Sequence, residues 1–165
     1  MNYLELNKGD TLFISPNEPH AYIYGDCLEC MANSDNTIRL GLTPKLVDIE
    51  NFKKIFVVDI FNTSLHKNVK VFTQSKENHY EFDNINDFAL ISYKLKQNEE
   101  IPSLSLKESS ILFLLEGKIN IELINNNNFS LNLDHYDKVF IQKGSLVRIR
   151  CSEDSEIFIA TSSIK

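Results

Sequence analysis

The side chains best suited to chemistry in this sequence lie close together between positions 20 and 45. They are a histidine, two carboxylates, an arginine and a lysine: His20, Glu29, Asp35, Arg39 and Lys45. Carboxylates and imidazoles transfer protons, an imidazole nitrogen also binds metals, and the two cations attract anions. This combination is compatible with proton transfer on a small anionic substrate.

Each of these residue types also has a purely structural interpretation. A lone histidine near prolines, such as His20, is commonly a surface or turn residue, and Lys45 fits an ordinary exposed lysine. Charged residues in alternating strands usually face solvent. Strand alternation would place Arg39 on one face with Thr37 and Gly41, which predicts an open, polar pocket. From residue types alone both interpretations stay open.

The surroundings of Glu29 favour a role in proton handling. In a strand, Glu29 would share one face with Cys27 and Met31, which gives the carboxylate an apolar lining. Cys27 and Cys30 form a Cys-x-x-Cys pair, but positions i and i+3 of a strand point to opposite faces. A second such pair is lacking, so we expect no metal site at these two thiols.

The whole segment resembles the C-terminal signature of the type I phosphomannose isomerases. One departure is Leu40, where the family usually carries alanine. The matching elements are His20-Ala21-Tyr22, Gly25, Glu29-x-Met31-Ala32-x-Ser34-Asp35-Asn36 and Arg39-x-Gly41-x-Thr43-Pro44-Lys45. So many fixed residues at fixed offsets make a chance match very improbable.

The resemblance implies a zinc-dependent isomerase that interconverts mannose 6-phosphate and fructose 6-phosphate through an enediol and supplies the precursor of GDP-mannose. By this resemblance His20 is a zinc ligand, Glu29 and Asp35 belong to the wall of the active site, and Arg39 is catalytic. Lys45 corresponds to the family lysine near the sugar phosphate. Zinc with an open coordination position would polarise the substrate oxygens as a Lewis acid.

The order of apolar runs and turns predicts a mostly β protein of the cupin or jelly-roll type. Short runs at 3–8, 11–14, 20–24 and 27–32 predict a partial N-terminal sheet. Asp48 is a suitable N-cap for a helix through IENFKKIFVV. We therefore expect three parts: residues 1–47 as the C-terminal part of the zinc-site cupin domain, 48–62 as a linking helix, and 63–165 as a C-terminal cupin-like β-barrel.

The last part is predicted to contain strands only. Glu116-Gly117-Lys118 indicates a tight hairpin, and Asn125–Asn128 a polar loop tip. His66, His79 and His135 are predicted to be surface residues of polar loops. The predicted strands are Val69–Thr73, Ala89–Leu95, Ile111–Leu115, Ile119–Ile124, Phe129–Leu133, Val139–Ile141, Leu146–Ile149 and Ile157–Ala160.

The sequence lacks the Gln-x-His pair and the tyrosine-rich segment with a glutamate that supply the other zinc ligands in the family. Zinc needs three or four protein groups, so we expect this chain to be inactive by itself until the missing N-terminal region completes the site. The alternative is a non-catalytic, cupin-like module that binds carbohydrate or protein. Whether the chain is naturally short or a fragment stays open, as does its oligomeric state.

Composition narrows the classes of partner. The chain has 165 residues, 42% of them hydrophobic and 24% charged, as in soluble globular domains. A net charge of −6 argues against nucleic acid, although a small phosphorylated ligand needs only one or two local cations. No apolar run approaches the length of a membrane span, and the first residues lack a secretory apolar stretch. Three cysteines, an odd number, favour a reducing, cytoplasmic location.

Overall fold

A computed structural model describes residues 3–56, 70–74, 76–81, 85–125 and 129–162. The chain divides into two compact units, Met1–Val69 and Lys70–Lys165. Within the described residues the first unit contains a single short helix, and the second contains ten strands. The protein is therefore mostly β, as the sequence predicts.

The strands of the second unit are numbered in chain order. They are β1 (Lys70–Gln74), β2 (Glu77–Glu81), β3 (Ala89–Leu95), β4 (Glu100–Ser105), β5 (Ser110–Glu116), β6 (Ile119–Leu123), β7 (Ser130–Leu133), β8 (Lys138–Ile141), β9 (Leu146–Cys151) and β10 (Ser155–Thr161).

These strands form two antiparallel sheets over one apolar core. The six-stranded sheet has the order β1-β2-β3-β10-β5-β8, and the four-stranded sheet the order β4-β9-β6-β7. Alternate residues of both sheets enter the same cluster, because successive side chains of a strand point to opposite faces. The most completely buried members are Leu112, Leu114, Ile149, Ile157 and Ile159. Each such side chain contributes about 1.5–3 kcal/mol through its burial.

The predicted strands of this unit are found, with ends shifted by a few residues; Val69, the first residue of one of them, lies outside the described residues. Two further strands, β2 and β4, were not predicted because their sequences, ENHYE and EIPSLS, lack an apolar alternation. Pro102 lies in β4, where the pairing with β9 shifts register between Ile101 and Leu104. The two sheets pack face to face and, among the described residues, do not close into the β-barrel that the sequence predicts.

The turn Glu116-Gly117-Lys118 is not the hairpin that the sequence suggests. It joins β5 of the six-stranded sheet to β6 of the four-stranded sheet, so the chain changes sheets there. A true hairpin joins β6 to β7 across the asparagine run. Asn125 lies in its turn, and residues 126–128 are outside the described part of the chain.

Helix α1 (Ile49–Ile55) lies where the sequence predicts it, and residues 57–62 of the predicted span lie outside the described residues. Asp48 is its N-cap: the Asn51 amide donates to Asp48 Oδ1 at 3.0 Å. This hydrogen bond lowers the pKa of the Asp48 carboxyl. The rings of Phe52 and Phe56 stack at 4.9 Å. At seven residues α1 is far too short for a bilayer, and the described residues contain no helix suited to span one.

The predicted N-terminal strands are not formed. Residues 3–48 contain turns and extended backbone but no strand, which corrects the expectation of a partial sheet there. Their backbone hydrogen bonds are largely local, such as Asp10 N to Asn7 O at 2.9 Å and Glu18 N to Ser15 O at 3.3 Å. A strand requires a neighbour to pair with, and alternation of side chains cannot supply one.

We expect Gly117→Ala to destabilise the second unit more than Gly144→Ala does. Both glycines have positive φ, +92° and +79°, so alanine adds a strain of about 1–2 kcal/mol at either position. At Gly117 the new methyl group would also overlap Ser155 and the Asp154 carbonyl, whereas nothing lies within 4 Å at Gly144.

The difference in unfolding free energy between the two variants, measured by urea denaturation, should be at least about 1 kcal/mol. Equal losses would show that β10 does not pack against the turn between β5 and β6.

Candidate functional site

Two of the predicted site residues are linked through a tyrosine. The Tyr22 hydroxyl donates to Glu29 Oε1 at 2.9 Å. The rings of His20 and Tyr22 meet edge to face with centroids 5.9 Å apart, and His20 Nδ1 lies 2.9 Å from the Glu18 carbonyl oxygen. His20, Tyr22 and Glu29 therefore form one connected group.

This contact changes the chemistry of Tyr22. Although 60% of the residue is exposed, neighbouring atoms partly desolvate the hydroxyl, and this effect raises its pKa most. The hydrogen bond to Glu29 and the negative charge of that carboxylate raise the pKa further, to about 12. The phenol stays protonated at neutral pH and acts as a fixed hydrogen-bond donor to the carboxylate.

Arg39 is held by its backbone at the approach to helix α1. Its carbonyl oxygen accepts a hydrogen bond from the Asp48 amide at 2.9 Å, and Asp48 caps the helix. The residue is half-buried, and no hydrogen bond or ion pair engages its guanidinium within the described residues. Gly41 has open space around it, so room exists beside Arg39.

Asp35 and Lys45 lie in local turns on the surface. The Asp35 carbonyl oxygen accepts from the Thr37 amide at 2.8 Å, and the Lys45 amide donates to Thr43 Oγ1 at 3.2 Å. Both residues are exposed. Across the described segment, no hydrogen bond or ion pair connects Asp35, Arg39 or Lys45 to the group around Glu29.

Glu29 does not have the apolar lining that the sequence predicts. The prediction placed it in a strand between Cys27 and Met31, but residues 27–32 form no strand and Glu29 is exposed. Met31 is exposed as well, so it cannot desolvate the carboxylate. The partner that positions Glu29 is instead Tyr22.

The residues present do not complete a zinc site. His20 has a suitable arrangement, because a proton on Nδ1 that is donated to the Glu18 carbonyl leaves Nε2 free to bind a metal. However, no group of three or more metal-binding side chains occurs among the described residues, and zinc takes three or four. Burial raises the pKa of the Cys30 thiol, which disfavours the thiolate that binds metals.

Sequence reasoning missed two polar features. Tyr22 received no role, although in an extended segment it lies on the same side as His20, two positions earlier. His79 was predicted in a surface loop, but it lies in β2, where Nε2 contacts the Glu77 carboxylate on the core side of the strand. That carboxylate also accepts from Tyr93 and, after burial, raises the pKa of the Tyr93 hydroxyl. The sequence ENHYE lacks an apolar alternation, so it gave no signal for this strand.

Comparison with known proteins finds relatives that share one name, mannose-6-phosphate isomerase. Mannose-6-phosphate isomerase of Macaca fascicularis is 31% identical over 163 residues, which cover 96% of this chain and 38% of the relative. Shorter stretches match more closely. Probable mannose-6-phosphate isomerase of Caenorhabditis elegans is 54% identical over 59 residues, covering 36% of this chain and 14% of that protein. Mannose-6-phosphate isomerase 2 of Arabidopsis thaliana is 61% identical over 49 residues, covering 30% and 11%.

Solved structures of low identity are similar to part of this chain. A cupin superfamily protein of Desulfitobacterium hafniense has a TM-score of 0.45 at 9% identity, with 55% of this chain and 80% of that chain covered. KdgF from Halomonas sp. has a TM-score of 0.44 at 12% identity, with 55% and 84% covered. No protein-family model matches the chain.

The names of these relatives agree with the family that the motif at residues 20–45 indicates. The chain spans 38% of the length of the relative that it matches over 96% of its own residues. These findings support the prediction that it corresponds to a C-terminal portion. The chain belongs, by sequence, to the mannose-6-phosphate isomerase family.

Proposed function

We propose that the chain supplies one wall of the active site of a mannose-6-phosphate isomerase. The observation that carries the proposal is the match to enzymes of that name over 96% of the chain, combined with the complete motif from His20 to Lys45. The reaction would interconvert mannose 6-phosphate and fructose 6-phosphate. Because the chain spans 38% of the relative's length, the remaining wall would come from the part of the enzyme that it does not span.

The proposed reaction needs no external oxidant or reductant. A base removes the proton from C2 of the open-chain aldose, and the electron pair forms a C1–C2 double bond while negative charge develops on oxygen. The proton of the C2 hydroxyl then passes to the C1 oxygen, and protonation at C1 gives the ketose with its carbonyl at C2. The protein must therefore supply a proton carrier, a stabiliser of oxygen charge and an anchor for the phosphate.

Glu29 is the proposed carboxylate that handles a proton. Its Oε1 accepts from Tyr22, which fixes the orientation of the carboxylate and leaves Oε2 without a hydrogen bond from the described residues. A fixed geometry favours proton transfer, because the oxygen need not be reoriented in each turnover. Asp35 completes the same wall in this proposal.

Arg39 is the proposed stabiliser of the enediolate. Its guanidinium stays charged throughout, and the hydrogen bond between its carbonyl and Asp48 fixes the backbone from which the side chain extends. An enediolate exists only during the reaction, so a fixed cation beside it lowers the barrier more than it strengthens substrate binding. Lys45, which is exposed, is the proposed phosphate anchor.

His20 is the proposed zinc ligand of this segment. Its Nδ1 contact with the Glu18 carbonyl supports binding through Nε2, and the other ligands would come from outside the described residues. When bound, zinc would act as a Lewis acid on the substrate oxygens.

A saccharide-binding module is the second candidate. A groove of about 310 Å³ on the four-stranded sheet is lined by amides and cations, including Asn98, Lys118, Asn120, Asn132 and Arg150. Asn120 Nδ2 donates to Ser130 Oγ at 2.8 Å and to Asn132 Oδ1 at 2.7 Å, so the amides are ordered. Such groups match sugar hydroxyls, and this candidate requires neither His20 nor Arg39.

Arg39→Ala should lower the turnover of a full-length isomerase that carries residues 20–56 of this chain by about a hundredfold or more, the typical cost of removing one preorganised charge-stabilising group. Metal content and the circular dichroism spectrum should not change. Arg39→Lys should restore activity only in part, since an ammonium keeps the charge but loses the planar donor pair.

The matched control is Lys53→Ala, which removes an exposed cation that pairs with Glu50 at 3.0 Å outside the motif. Steady-state kinetics should show near-normal turnover for this control. Near-normal turnover of Arg39→Ala, or a loss explained by lost metal or unfolding, would show that the arginine is structural.

The pKa of Tyr22 should fall when Glu29 is replaced by glutamine. The carboxylate stabilises the protonated phenol by a hydrogen bond and by repulsion of the phenolate, so its removal should move the pKa from about 12 toward 10, while the effect of desolvation stays. NMR titration of ring-labelled tyrosine, with the Tyr22 signal assigned from Tyr22→Phe, measures both values. An unchanged pKa in Glu29→Gln would mean that the two side chains are not in contact in solution.

A further inference from the structure

The groove on the four-stranded sheet lies where three neighbouring strands end. β6 begins there, β7 and β9 finish there, and the three are adjacent in the order β9-β6-β7. Asn120 of β6 is the register partner of Arg150 on one side and of Asn132 on the other, so their side chains form one row on the outer face. The groove, of about 310 Å³, includes this row. That volume is at the small end of the range for ligand sites and fits a single sugar ring.

The row presents an unused acceptor beside an unused donor. Both amide hydrogens of Asn120 are occupied, one by Ser130 Oγ at 2.8 Å and one by Asn132 Oδ1 at 2.7 Å. Asn120 Oδ1 and Asn132 Nδ2 have no hydrogen-bond partner among the described residues. Neither amide can exchange its oxygen and nitrogen without losing these bonds, so the acceptor and the donor stay in place. Two neighbouring hydroxyl groups, which both donate and accept, can bond to this pair.

The cations of the groove are already paired with carboxylates. These pairs, between 2.6 and 3.8 Å, are Arg150 with Glu100 and Glu122, Arg148 also with Glu122, and Lys118 with Asp134 and Glu153. The network therefore holds four carboxylates against three cations, and the whole chain has a net charge of −6. A phosphate group would meet an excess of negative charge there, whereas an uncharged ligand would not.

We propose that this groove binds one ring of an uncharged saccharide and excludes sugar phosphates. Asn120 Oδ1 and Asn132 Nδ2 bind two neighbouring hydroxyls of that ring. The inference rests on the saccharide-binding candidate above and specifies the ligand of that site. It does not depend on the proposed isomerase site, because neither His20 nor Arg39 lines the groove.

NMR titration of the ¹⁵N-labelled, full 165-residue chain tests the proposal. The probes are mannose, glucose and galactose, which differ in the orientation of neighbouring hydroxyls, and the 6-phosphate of each. We expect at least one neutral sugar to shift the side-chain amide signals of Asn120 and Asn132, with a dissociation constant on the order of 1 mM for a ligand of this size. The 6-phosphates should leave these signals unchanged at the same concentration. A tenfold increase in salt should not weaken binding of the neutral sugar, because no ion pair forms with it.

Asn132→Asp tests the proposed contact with little change of shape. It keeps the oxygen that accepts from Asn120 but replaces the unused donor with a charged acceptor. We expect it to weaken binding of the neutral sugar at least about tenfold. Asn125→Asp is the matched control, because it adds the same charge at an exposed asparagine outside the groove, and it should bind like the wild type. Backbone amide spectra of both variants confirm that the sheets are retained.

If none of the three neutral sugars shifts any signal, both the inference and the saccharide-binding candidate are wrong. Shifts confined to residues outside the groove, or equal binding of a sugar and its 6-phosphate, would overturn the inference and leave that candidate standing. Wild-type affinity in Asn132→Asp would overturn the proposed contact, because the Asn132 donor would then not bind the sugar. None of these outcomes bears on the isomerase proposal, which the turnover of the Arg39 variants tests.

Discussion

The packing of two antiparallel sheets over one apolar core is the interaction on which the described fold depends. Ile157 and Ile159 of β10 lie at the centre of the six-stranded sheet, between β3 and β5, and face side chains such as Ile149 of the four-stranded sheet. Most consecutive strands from β3 to β10 lie in opposite sheets around this core, so several connections must change sheets in few residues. The turn at Gly117 connects the two sheets at a position where no larger residue fits. The packing of the core therefore explains why this turn is sharp.

The segment that carries the candidate site neither pairs its extended stretches into a sheet nor buries its apolar side chains in a core of its own. Residues 3–48 place many large apolar side chains, among them Tyr24, Leu42 and Leu46, in exposed positions and form no ladder. What order the site has comes from local polar contacts: Tyr22 with Glu29, His20 with the Glu18 carbonyl, and Arg39 with the capped start of helix α1. These contacts fix the positions of the side chains within the segment. In the proposed function, the rest of the site comes from the part of the enzyme that this chain does not span.

Features that depend on local sequence patterns could be predicted, whereas features that depend on contacts with residues elsewhere in the chain could not. The Asp48 cap and the alternating strands β3, β5 and β10 follow from residue type and period, and the motif at His20–Lys45 identifies the family. Strand β2 was missed because Glu77 and His79 occupy core-side positions that only their contacts with each other and with Tyr93 make tolerable. The prediction of N-terminal strands was wrong. Alternation of apolar and polar residues indicates which face of a strand would be buried, but it does not indicate whether a neighbouring strand exists. Tyr22 was missed for a similar reason, since its role depends on reaching Glu29 across a turn.

The central claim is that this chain holds one metal ligand and part of a catalytic wall, and that a second polypeptide region must complete the site. The direct measurement is zinc stoichiometry after dialysis, with isomerase activity on mannose 6-phosphate, for the purified chain alone and for the chain mixed with the N-terminal region of a mannose-6-phosphate isomerase. We expect neither bound zinc nor activity for the chain alone, and recovery of both in the mixture that His20→Ala abolishes. Stoichiometric zinc retained by the chain alone would contradict the account, as would a mixture that stays without metal and without activity.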